Sequence, residues 1–561
     1  MLSPGNWSRV GKALTFKEKV FVSLCLAALL ASLAVWVRFL YIQSTVEVAK
    51  RGGEYAEGVI GQPMYINPLL SQTNESDADL VQLIYAGLFK YDAAGLPVPD
   101  LAERYEVSED QKTYTVFLRD NLFWHDGERV TANDVKFTVD VLQNPTFKSP
   151  LRQSWQRVVE TKVLDDRTVT FQLSDSYAQF PGVLTLGLLP SHLWEGVTPE
   201  RFLFADGNSK PIGAGPFAFA KAQKNASGET SSIELASFPK YHNGEPYISR
   251  IVFNFYLDED ALVAAYNKRE VKGIGNLPLE KLDALTSKNK VLHELLIPRY
   301  YSVFFNQKAS VPLASKEVRQ ALSFAVNRDQ IIQDVLRGKG TPTYSPFLSQ
   351  MPEYNPDVEH YLFDVERAKK ILDEAGWKMN DEKGVREKNG TELHFTLFTV
   401  DWPDLSRTTD ILQAQWKEAG VAVDLQKLTV SDLQQNHIRP RDYDALLVGQ
   451  ELSFSPDAYS FWHSNQREDA GFNFALFNNK RADQLLEEIR TEPNPDARIE
   501  KSKELQKIFA DEAPAAFLYS PYYLYPMDDS VHGFTTQKLN TRSARFSGVE
   551  AWYVKTKRVR K

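Results

Sequence analysis

The chain has 561 residues, and its 65 basic and 73 acidic side chains give it a net charge of −8 at pH 7. A chain of this length can form several hydrophobic cores, and its acidic balance provides no overall basic field for nucleic acid. The single cysteine, Cys25, lies in an apolar segment, which excludes a disulfide framework or a cysteine-based site elsewhere.

Val20–Val37 is an uncharged apolar run long enough to form a transmembrane helix. More basic than acidic residues precede it, so the positive-inside rule places residues 1–19 in the cytoplasm. We therefore expect an uncleaved signal-anchor at 20–42, a polar tether at 43–53, and an extracytoplasmic globular part attached to the cell membrane.

Processing of this apolar segment has two alternatives. Ser32 and Ala34 have the small side chains that signal peptidase requires, so cleavage after Ala34 remains open. Lipidation at Cys25 would leave only Val20–Leu24 as the apolar region, which is too short.

Beyond the tether, strand-like and helix-like segments alternate without an internal repeat. Apolar and polar residues alternate at 114–119 and 168–173, which predicts two half-buried strands. Helical spacing predicts helices at 131–142, 316–336 and 365–375. A later run predicts a strand at 393–400, a helix at 410–419, and strands at 421–425 and 445–448. This order indicates an α/β fold with a central sheet, in which binding loops follow the strand ends.

Catalytic signatures are absent from the sequence. It contains no nucleophile elbow, zinc-protease motif, phosphate-binding loop or dinucleotide fingerprint. His125 precedes an Asp-Gly turn, and His437 and His463 have no partners at metal-ligand spacing. We therefore predict that the protein is not an enzyme and has no metal site or cofactor. The basic end, Lys555–Lys561, is either a solvated tail or a contact for anionic lipid headgroups.

Motifs along almost the whole chain resemble the family 5 extracellular solute-binding proteins, which are the dipeptide-, oligopeptide- and nickel-binding components of ABC importers. The resemblance covers about residues 52–550. The motifs are, in order, INPL (66–69), IYAGLFKYD (84–92), the stretch 101–140 around FWHDGERVTANDVKF, LLPSHLW (188–194), PIGAGPFAF (211–219), YHNGEP (241–246), VRQALSFAVNR (318–328), FDVERAKKILDEAGW (363–377) and ILQAQWKEAGVAVDL (411–425).

The resemblance implies a periplasmic-binding-protein-like Venus flytrap of α/β class, with two lobes, an inserted third domain and the N-terminal transmembrane helix. Domain I would consist of 52–82, 212–297 and 526–561, domain II of 83–211, and domain III of 298–525. The ligand would lie between domains I and III, which close by bending at hinges.

The function implied by the resemblance is to capture a small ligand, expected to be a short peptide, and to deliver it to an ABC permease with its ATPase. We expect a monomer that binds the membrane through its N-terminal helix and binds no nucleic acid. Two alternatives remain. The same fold could hold a metal chelate, an oligosaccharide or an opine, or the protein could be a tethered sensor or chaperone that is not coupled to transport.

The segment after strand 445–448 resembles the family's main ligand-contacting loop. Classical peptide binders have an Asp before the loop's proline that pairs with the ligand's α-ammonium. Here that Asp is missing, and Glu451 is the only acid before Pro456. We expect the loop before Pro68 and the residues after strand 393–400 to form the other walls. The predicted ligand-binding residues are Gln62, Tyr65, Asn67, Asp401, Trp402, Gly449, Gln450, Glu451, Ser453 and Phe454.

Overall fold

The computed structural model describes residues 15–147, 149, 151–454 and 456–561. Most of the predicted cytoplasmic segment 1–19 therefore lies outside the described residues. The longer helices are Phe16–Ser44, Glu75–Ile84, Ala132–Gln143, Glu259–Asn267, Lys316–Phe324, Arg328–Leu336, Val365–Glu374, Pro403–Glu418, Lys480–Thr491 and Pro495–Glu512. Short helices are Arg152–Trp155, Phe180–Val183, Ser191–Trp194, Val311–Ala314, Val430–Asp432 and Tyr459–Trp462.

The first sheet has seven strands drawn from distant parts of the chain. Their order is Lys290–Leu295, Tyr523–Asp528, Gly273–Ile274, Glu54–Ile60, Arg250–Tyr256, Thr230–Ser237 and Phe217–Lys224. Glu54–Ile60 pairs in parallel with Arg250–Tyr256. A parallel pair needs a long connection between its strands, and here the connecting residues form other strands and helices before the chain returns to the sheet. A hairpin at 225–229 joins the last two strands.

The second sheet has six strands in the order Gly340–Pro342, Ala515–Pro521, Arg299–Phe305, Ala445–Glu451, His394–Val400 and Ala422–Leu428. It includes the predicted strand–helix–strand unit, in which Pro403–Glu418 joins two parallel strands. The chain passes between the first and second sheets at 296–298 and again at Tyr522.

A third sheet of four strands lies in the segment predicted to be inserted. Its order is Ala102–Val107, Thr113–Leu118, Thr168–Leu173 and Val158–Asp165. Smaller sheets pair Phe89–Tyr91 with Pro97–Pro99, and Lys378–Asn380 with Val385–Lys388 and Thr391–Glu392. One large core lies against the second sheet, while another is shared by the first and third sheets. The cavity described below lies where these two bodies meet.

The prediction of one continuous helix at 316–336 is wrong in one respect, because the segment forms two helices. Lys316–Phe324 ends at Ala325, and Arg328–Leu336 starts after Asn327. The Asn327 side chain accepts a hydrogen bond from the Gln330 amide, 3.0 Å away, and caps the second helix. Apolar spacing continues through the break, so periodicity alone concealed it.

The predicted tether at 43–53 is also wrong. The apolar helix continues to Ser44, and Thr45–Ala49 follows directly as a strand. This strand pairs antiparallel with Thr556–Arg560, so that the two strands form a terminal ribbon. The end of the apolar helix is therefore joined to the end of the chain.

The strand predicted at 445–448 extends further than expected. It continues to Glu451 and pairs antiparallel with Arg299–Phe305 along its whole length. Gly449, Gln450 and Glu451 are thus strand residues rather than loop residues, and the loop begins at Leu452.

Candidate ligand-binding cavity

A cavity of about 730 Å³ lies between the first and third sheets on one side and the end of strand Ala445–Glu451 on the other. This volume is within the usual range of small-molecule sites. Most of its walls come from four parts of the chain: residues 71–91, residues 151–187, residues 541–550, and the group Glu451, Ser453 and Asp457. Pro68, Pro97, Asp100, Pro216 and Tyr241 complete the lining.

The helix Glu75–Ile84 forms one wall, and its first turn is fixed by capping bonds. The Asn74 side chain accepts from the Asp77 amide at 3.2 Å and donates to the Gln62 carbonyl at 2.8 Å. Asp77 accepts from the amides of Met64 and Tyr65, both at 2.8 Å. Burial raises the pKa of Asp77. These bonds hold the loop that carries Gln62 and Tyr65 against the helix.

A buried charged cluster, Glu57, Asp79 and Arg545, lies beneath this wall. The Arg545 guanidinium donates to Asp79 at 2.6 Å and to Glu57 at 3.0 Å. The hydroxyls of Tyr55 and Tyr525 donate to Glu57 at 2.5 and 3.0 Å. Burial raises the pKa of both carboxyls, and the Arg545 guanidinium offsets this only in part; the charge of Asp79 raises the pKa of Glu57 further. Only Asp79 of the three reaches the cavity.

Asp100, which also lines the cavity, forms a second charged contact. It accepts from Lys90 at 3.2 Å and from His242 at 2.9 Å. Burial raises its pKa, but the bonds from His242 and Lys90 outweigh that effect and hold the pKa below its usual range. The carboxylate is therefore ionised and already paired.

The segment after Glu451 bridges the bodies on either side of the cavity. Phe454 is 2% exposed, and its amide donates to the Asn540 side chain at 2.9 Å. Gly95 approaches the Phe454 ring so closely that a Cβ there would lie 2.6 Å from the ring, and its φ of +81° also favours glycine. The Lys538 ammonium lies 5.2 Å from the ring centroid. Phe454 is thus a contact between bodies rather than a wall of the cavity.

The carboxylates that line the cavity fall into two groups. Four have basic partners: Glu75 pairs with Arg542, Asp79 with Arg545, Asp100 with Lys90, and Asp457 with Arg490. Glu451 and Glu550 have no hydrogen bond or ion pair from their side chains within the described ranges. The cavity therefore carries two uncompensated negative charges on different walls.

Of the ten predicted binding residues, the structure brings Glu451 and Ser453 to the cavity. Asn67 is fully buried, where it donates to Asn208 at 3.1 Å and accepts from the Leu69 amide at 2.9 Å. Gln450 is 3% exposed and accepts from the Tyr300 hydroxyl.

The remaining predicted residues lie further away. Gly449 faces the Tyr301 ring. Asp401 accepts from the Ser406 hydroxyl at 2.9 Å, and Trp402 is 52% exposed at the start of helix Pro403–Glu418. In this conformation neither lines the described cavity. A ligand-binding role for these residues stays a prediction.

Sequence reasoning missed the walls formed by residues 71–75 and 541–550. The Asn74-Glu75 cap before an apolar helix was available as a signal for the first wall. The second wall had no local signal, because residues 541–550 reach the cavity only through the return of the chain to the first sheet.

Two bodies that share crossing segments and have a cavity between them are the arrangement of a two-lobed binding protein. A family model described as "Bacterial extracellular solute-binding proteins, family 5 Middle" matches residues 97–473. The chain belongs to this family, as its motifs predicted. It is a solute-binding protein and not an enzyme.

Known relatives of this chain include peptide-binding proteins. Oligopeptide-binding protein AppA of Bacillus subtilis (strain 168) is 28% identical over 497 residues, which cover 86% of this chain and 89% of AppA. The solved structure of AppA with a nonapeptide has a TM-score of 0.69 and 26% identity, and the match covers 91% of this chain and 100% of that one. The dipeptide-binding protein of Escherichia coli (strain K12) is 28% identical over 527 residues, which cover 85% of this chain and 91% of that protein.

One neighbour with the same fold has a different ligand. NikZ from Campylobacter jejuni, solved in complex with Ni(L-His), has a TM-score of 0.71 and 24% identity, and the match covers 89% of this chain and 99% of NikZ. The predicted fold class is confirmed by these neighbours. The fold alone does not select the ligand.

Proposed function

We propose that this protein is a membrane-anchored extracytoplasmic component of an ABC importer that captures short peptides with a free N-terminal ammonium. Glu451 would hold the ammonium, and Glu550, in another part of the lining, would favour a second positive group, such as a basic side chain. The anchor would be the helix Phe16–Ser44, which is long and apolar enough to span a membrane.

The observation that carries this proposal is the unpaired state of Glu451 and Glu550. Every other carboxylate lining the described cavity has a basic partner. An ammonium enclosed without a counter-charge is costly, so a cavity with two free carboxylates favours a cationic ligand over an anionic one.

The edge of strand Ala445–Glu451 supports a peptide ligand. Strand His394–Val400 pairs with it only at 445–447, so residues 448–451 pair on one side alone, with Arg299–Phe305. An unpaired edge can accept an extended peptide as an added strand. This edge ends at Glu451, where the ammonium of such a peptide would lie.

Contacts between the bodies support capture by closure. The Ala178 amide donates to the Arg490 carbonyl at 3.2 Å, and the Ser176 hydroxyl donates to the Thr491 carbonyl at 3.2 Å. With the contact of Phe454 to Asn540, these bonds link the two bodies near the cavity. Bending at 296–298 and Tyr522 would open it, and ligand bound to both bodies would favour the closed state.

The test is calorimetric titration of the full chain in detergent with short peptides, each offered free and N-acetylated. We expect Glu451→Gln to weaken binding of a free peptide by about 2–5 kcal/mol, which is about 30-fold to several-thousand-fold. N-acetylation should cause a similar loss in the wild type. The two losses should not add, because both remove the same charge pair.

Glu468→Gln is the matched control, because Glu468 is an exposed acid of the same body outside the cavity. It should leave affinity unchanged. A large acetylation penalty with unchanged affinity in Glu451→Gln would move the ammonium site to another acid, Glu550 first, because it is the other cavity carboxylate without a basic partner. If neither change affects binding, the ligand has no free amine, and a metal chelate, oligosaccharide or opine would replace the peptide.

A further inference from the structure

We propose that the lysine-rich face of the terminal ribbon binds anionic phospholipid headgroups and holds the globular part against the membrane surface. This inference depends on the proposed membrane anchor, but it concerns a different surface from the ligand cavity. The terminal ribbon consists of Thr45–Ala49 and Thr556–Arg560, as defined above.

The position of the ribbon follows from its direct connection to the apolar helix. Val37 ends the uncharged run, and Ser44 ends the helix seven residues later, a rise of about 10 Å. The headgroup layer on each side of a bilayer is about 5–8 Å thick. The ribbon would therefore start at the outer border of this layer, within the screening length of about 8 Å at physiological salt.

Hydrogen bonds fix the ribbon to the helix end. The Arg558 side chain donates to the Thr45 hydroxyl at 2.9 Å and to the Ile42 carbonyl at 3.3 Å. The Lys561 amide donates to the Ser44 carbonyl at 3.0 Å. The Thr45 hydroxyl donates to the Tyr41 carbonyl at 2.6 Å. The basic end of the chain thus cannot move away from the membrane boundary without breaking these bonds.

The two faces of the ribbon differ in charge. Residues opposite each other in an antiparallel pair share a face. One face carries Glu47, which lies 3.8 Å from Arg558 and accepts from the Thr556 hydroxyl. The other face carries Val46 beside Val559, Val48 beside Lys557, and Lys50 beside Lys555. The second face has no acidic residue.

The second face has the composition of a membrane-interface surface. Lys50, Lys555 and Lys557 are exposed, and none has an ion pair or a side-chain hydrogen bond within the described ranges. Val46 and Val559 are 38% and 37% exposed, so they form a small apolar patch between the lysines. Lysines around exposed valines suit an anionic interface, where the ammonium groups meet phosphates and the valines meet the glycerol region.

The test uses the full chain in nanodiscs of phosphatidylcholine alone or with about 30 mol% phosphatidylglycerol. A water-soluble amine-acylating reagent is applied, and the rate at each lysine is measured by mass spectrometry. We expect Lys50, Lys555 and Lys557 to react about fivefold more slowly in the anionic discs, relative to the exposed Lys288 as internal reference. Salt at about 0.5 M should remove the difference, because it shortens the screening length.

A charge-removal variant isolates the ribbon. Changing four residues together to Gln, Lys555, Lys557, Arg560 and Lys561, should make the acylation rate at Lys50 equal in the two kinds of disc. The matched control changes four exposed lysines elsewhere, Lys210, Lys224, Lys288 and Lys308, to Gln, with Lys480 as reference. It should leave the protection of Lys50 unchanged. Wild-type rates that do not depend on lipid charge would overturn the proposal.

Cys25 separates failure of the ribbon from failure of the anchor. It is the sole thiol and is exposed on the apolar helix, so a membrane-spanning helix would shield it from a water-soluble maleimide. A reactive Cys25 would show that the helix does not span the disc and would overturn both the anchor and the ribbon contact. A shielded Cys25 with lipid-independent lysine rates would leave the anchor standing and reject the headgroup contact alone.

Discussion

Arg545, beside the first sheet, and Arg328, beside the second, are both almost fully buried, but their partners differ in charge. Arg545 lies between the carboxylates of Glu57 and Asp79. Arg328 donates to the carbonyls of Phe517 and Tyr361, both at 2.7 Å, and no carboxylate within the described ranges lies at salt-bridge distance from it. Burial lowers the pKa of Arg328 to about 10, so it stays charged at neutral pH.

The difference shows two ways to bury a guanidinium. Arg328 is held by carbonyl dipoles, which do not titrate, so these hydrogen bonds do not change with pH. The charged cluster around Arg545 has an excess carboxylate and reaches the cavity wall through Asp79. We therefore expect the contribution of Arg328 to the free energy of unfolding to stay constant over moderate pH changes. The contribution of the cluster around Arg545 should change with pH.

The largest expected effect is that of Arg545→Met. It would leave Glu57 and Asp79 buried beside each other with no counter-charge, so the free energy of unfolding should fall by about 3–5 kcal/mol. Urea unfolding followed by tryptophan fluorescence measures this change. A loss below about 1 kcal/mol would mean that the cluster is solvated or protonated, and the comparison with Arg328 would fail.

Arg328→Met should have a smaller effect. Methionine keeps much of the volume but leaves the carbonyls of Phe517 and Tyr361 unbonded, which should cost about 1–3 kcal/mol. The same unfolding measurement at about pH 5 and pH 8 should give equal losses, because the hydrogen-bond partners of Arg328 are carbonyls, which do not titrate. A loss that depends on pH would reveal an acidic partner and remove the contrast between the two sites.

The pH dependence of the cluster gives a third prediction. Because the pKa values of Glu57 and Asp79 are raised on folding, these groups stabilise the fold at low pH and lose that contribution as pH rises through the raised values. Asp79→Asn leaves a one-to-one pair, so the variant should lose about 1 kcal/mol less than the wild type between about pH 5 and pH 8.

The pH profile of Asp79→Asn must be compared with that of the wild type, because His125 changes the stability with pH in the direction opposite to that of the cluster. Burial lowers its pKa to about 4, so its contribution is lost as pH falls below 6.5, the ordinary histidine value. His125 is unchanged in both proteins, and its effect cancels in the difference. Parallel pH profiles for the two proteins would contradict the raised pKa of the cluster.

The smallest expected effect is that of Arg542→Gln. Arg542 neighbours Arg545 in sequence and pairs with Glu75, but both side chains of this pair are partly exposed. A partly exposed pair contributes little, so the loss should be below about 1 kcal/mol. If Arg542→Gln lowered the free energy of unfolding as much as Arg545→Met, the degree of burial would not explain the difference between the two arginines.

Much of the fold could be predicted from the sequence because its signals are local. The helix Ala132–Gln143 and its Thr131 cap, the helix that ends before Gly376, and the parallel strands around Pro403–Glu418 all follow from periodicity and capping residues. Family motifs supplied the overall fold. The break at Asn327 was hidden because apolar spacing continued across it.

The cavity was less predictable, because it depends on contacts between distant segments. No local pattern near Glu550 indicates that it lines the same cavity as Glu451. The sequence around Asn67 likewise gives no sign that its side chain is bonded to Asn208 and to the Leu69 amide. Glu451 was found because a family loop has an acid in the same region. Whether a polar residue faces a cavity or a buried partner is decided by tertiary packing.

The terminal ribbon also sets an order of events in biosynthesis. Its partners, such as Thr45 and Arg558, are 513 positions apart. Synthesis starts at the N-terminus, so the first strand leaves the ribosome long before the second exists. The ribbon can form only after Thr556–Arg560 has been made. Until then Thr45–Ala49 has an open edge, and a ribosome stalled before residue 556 would leave the protein without this attachment.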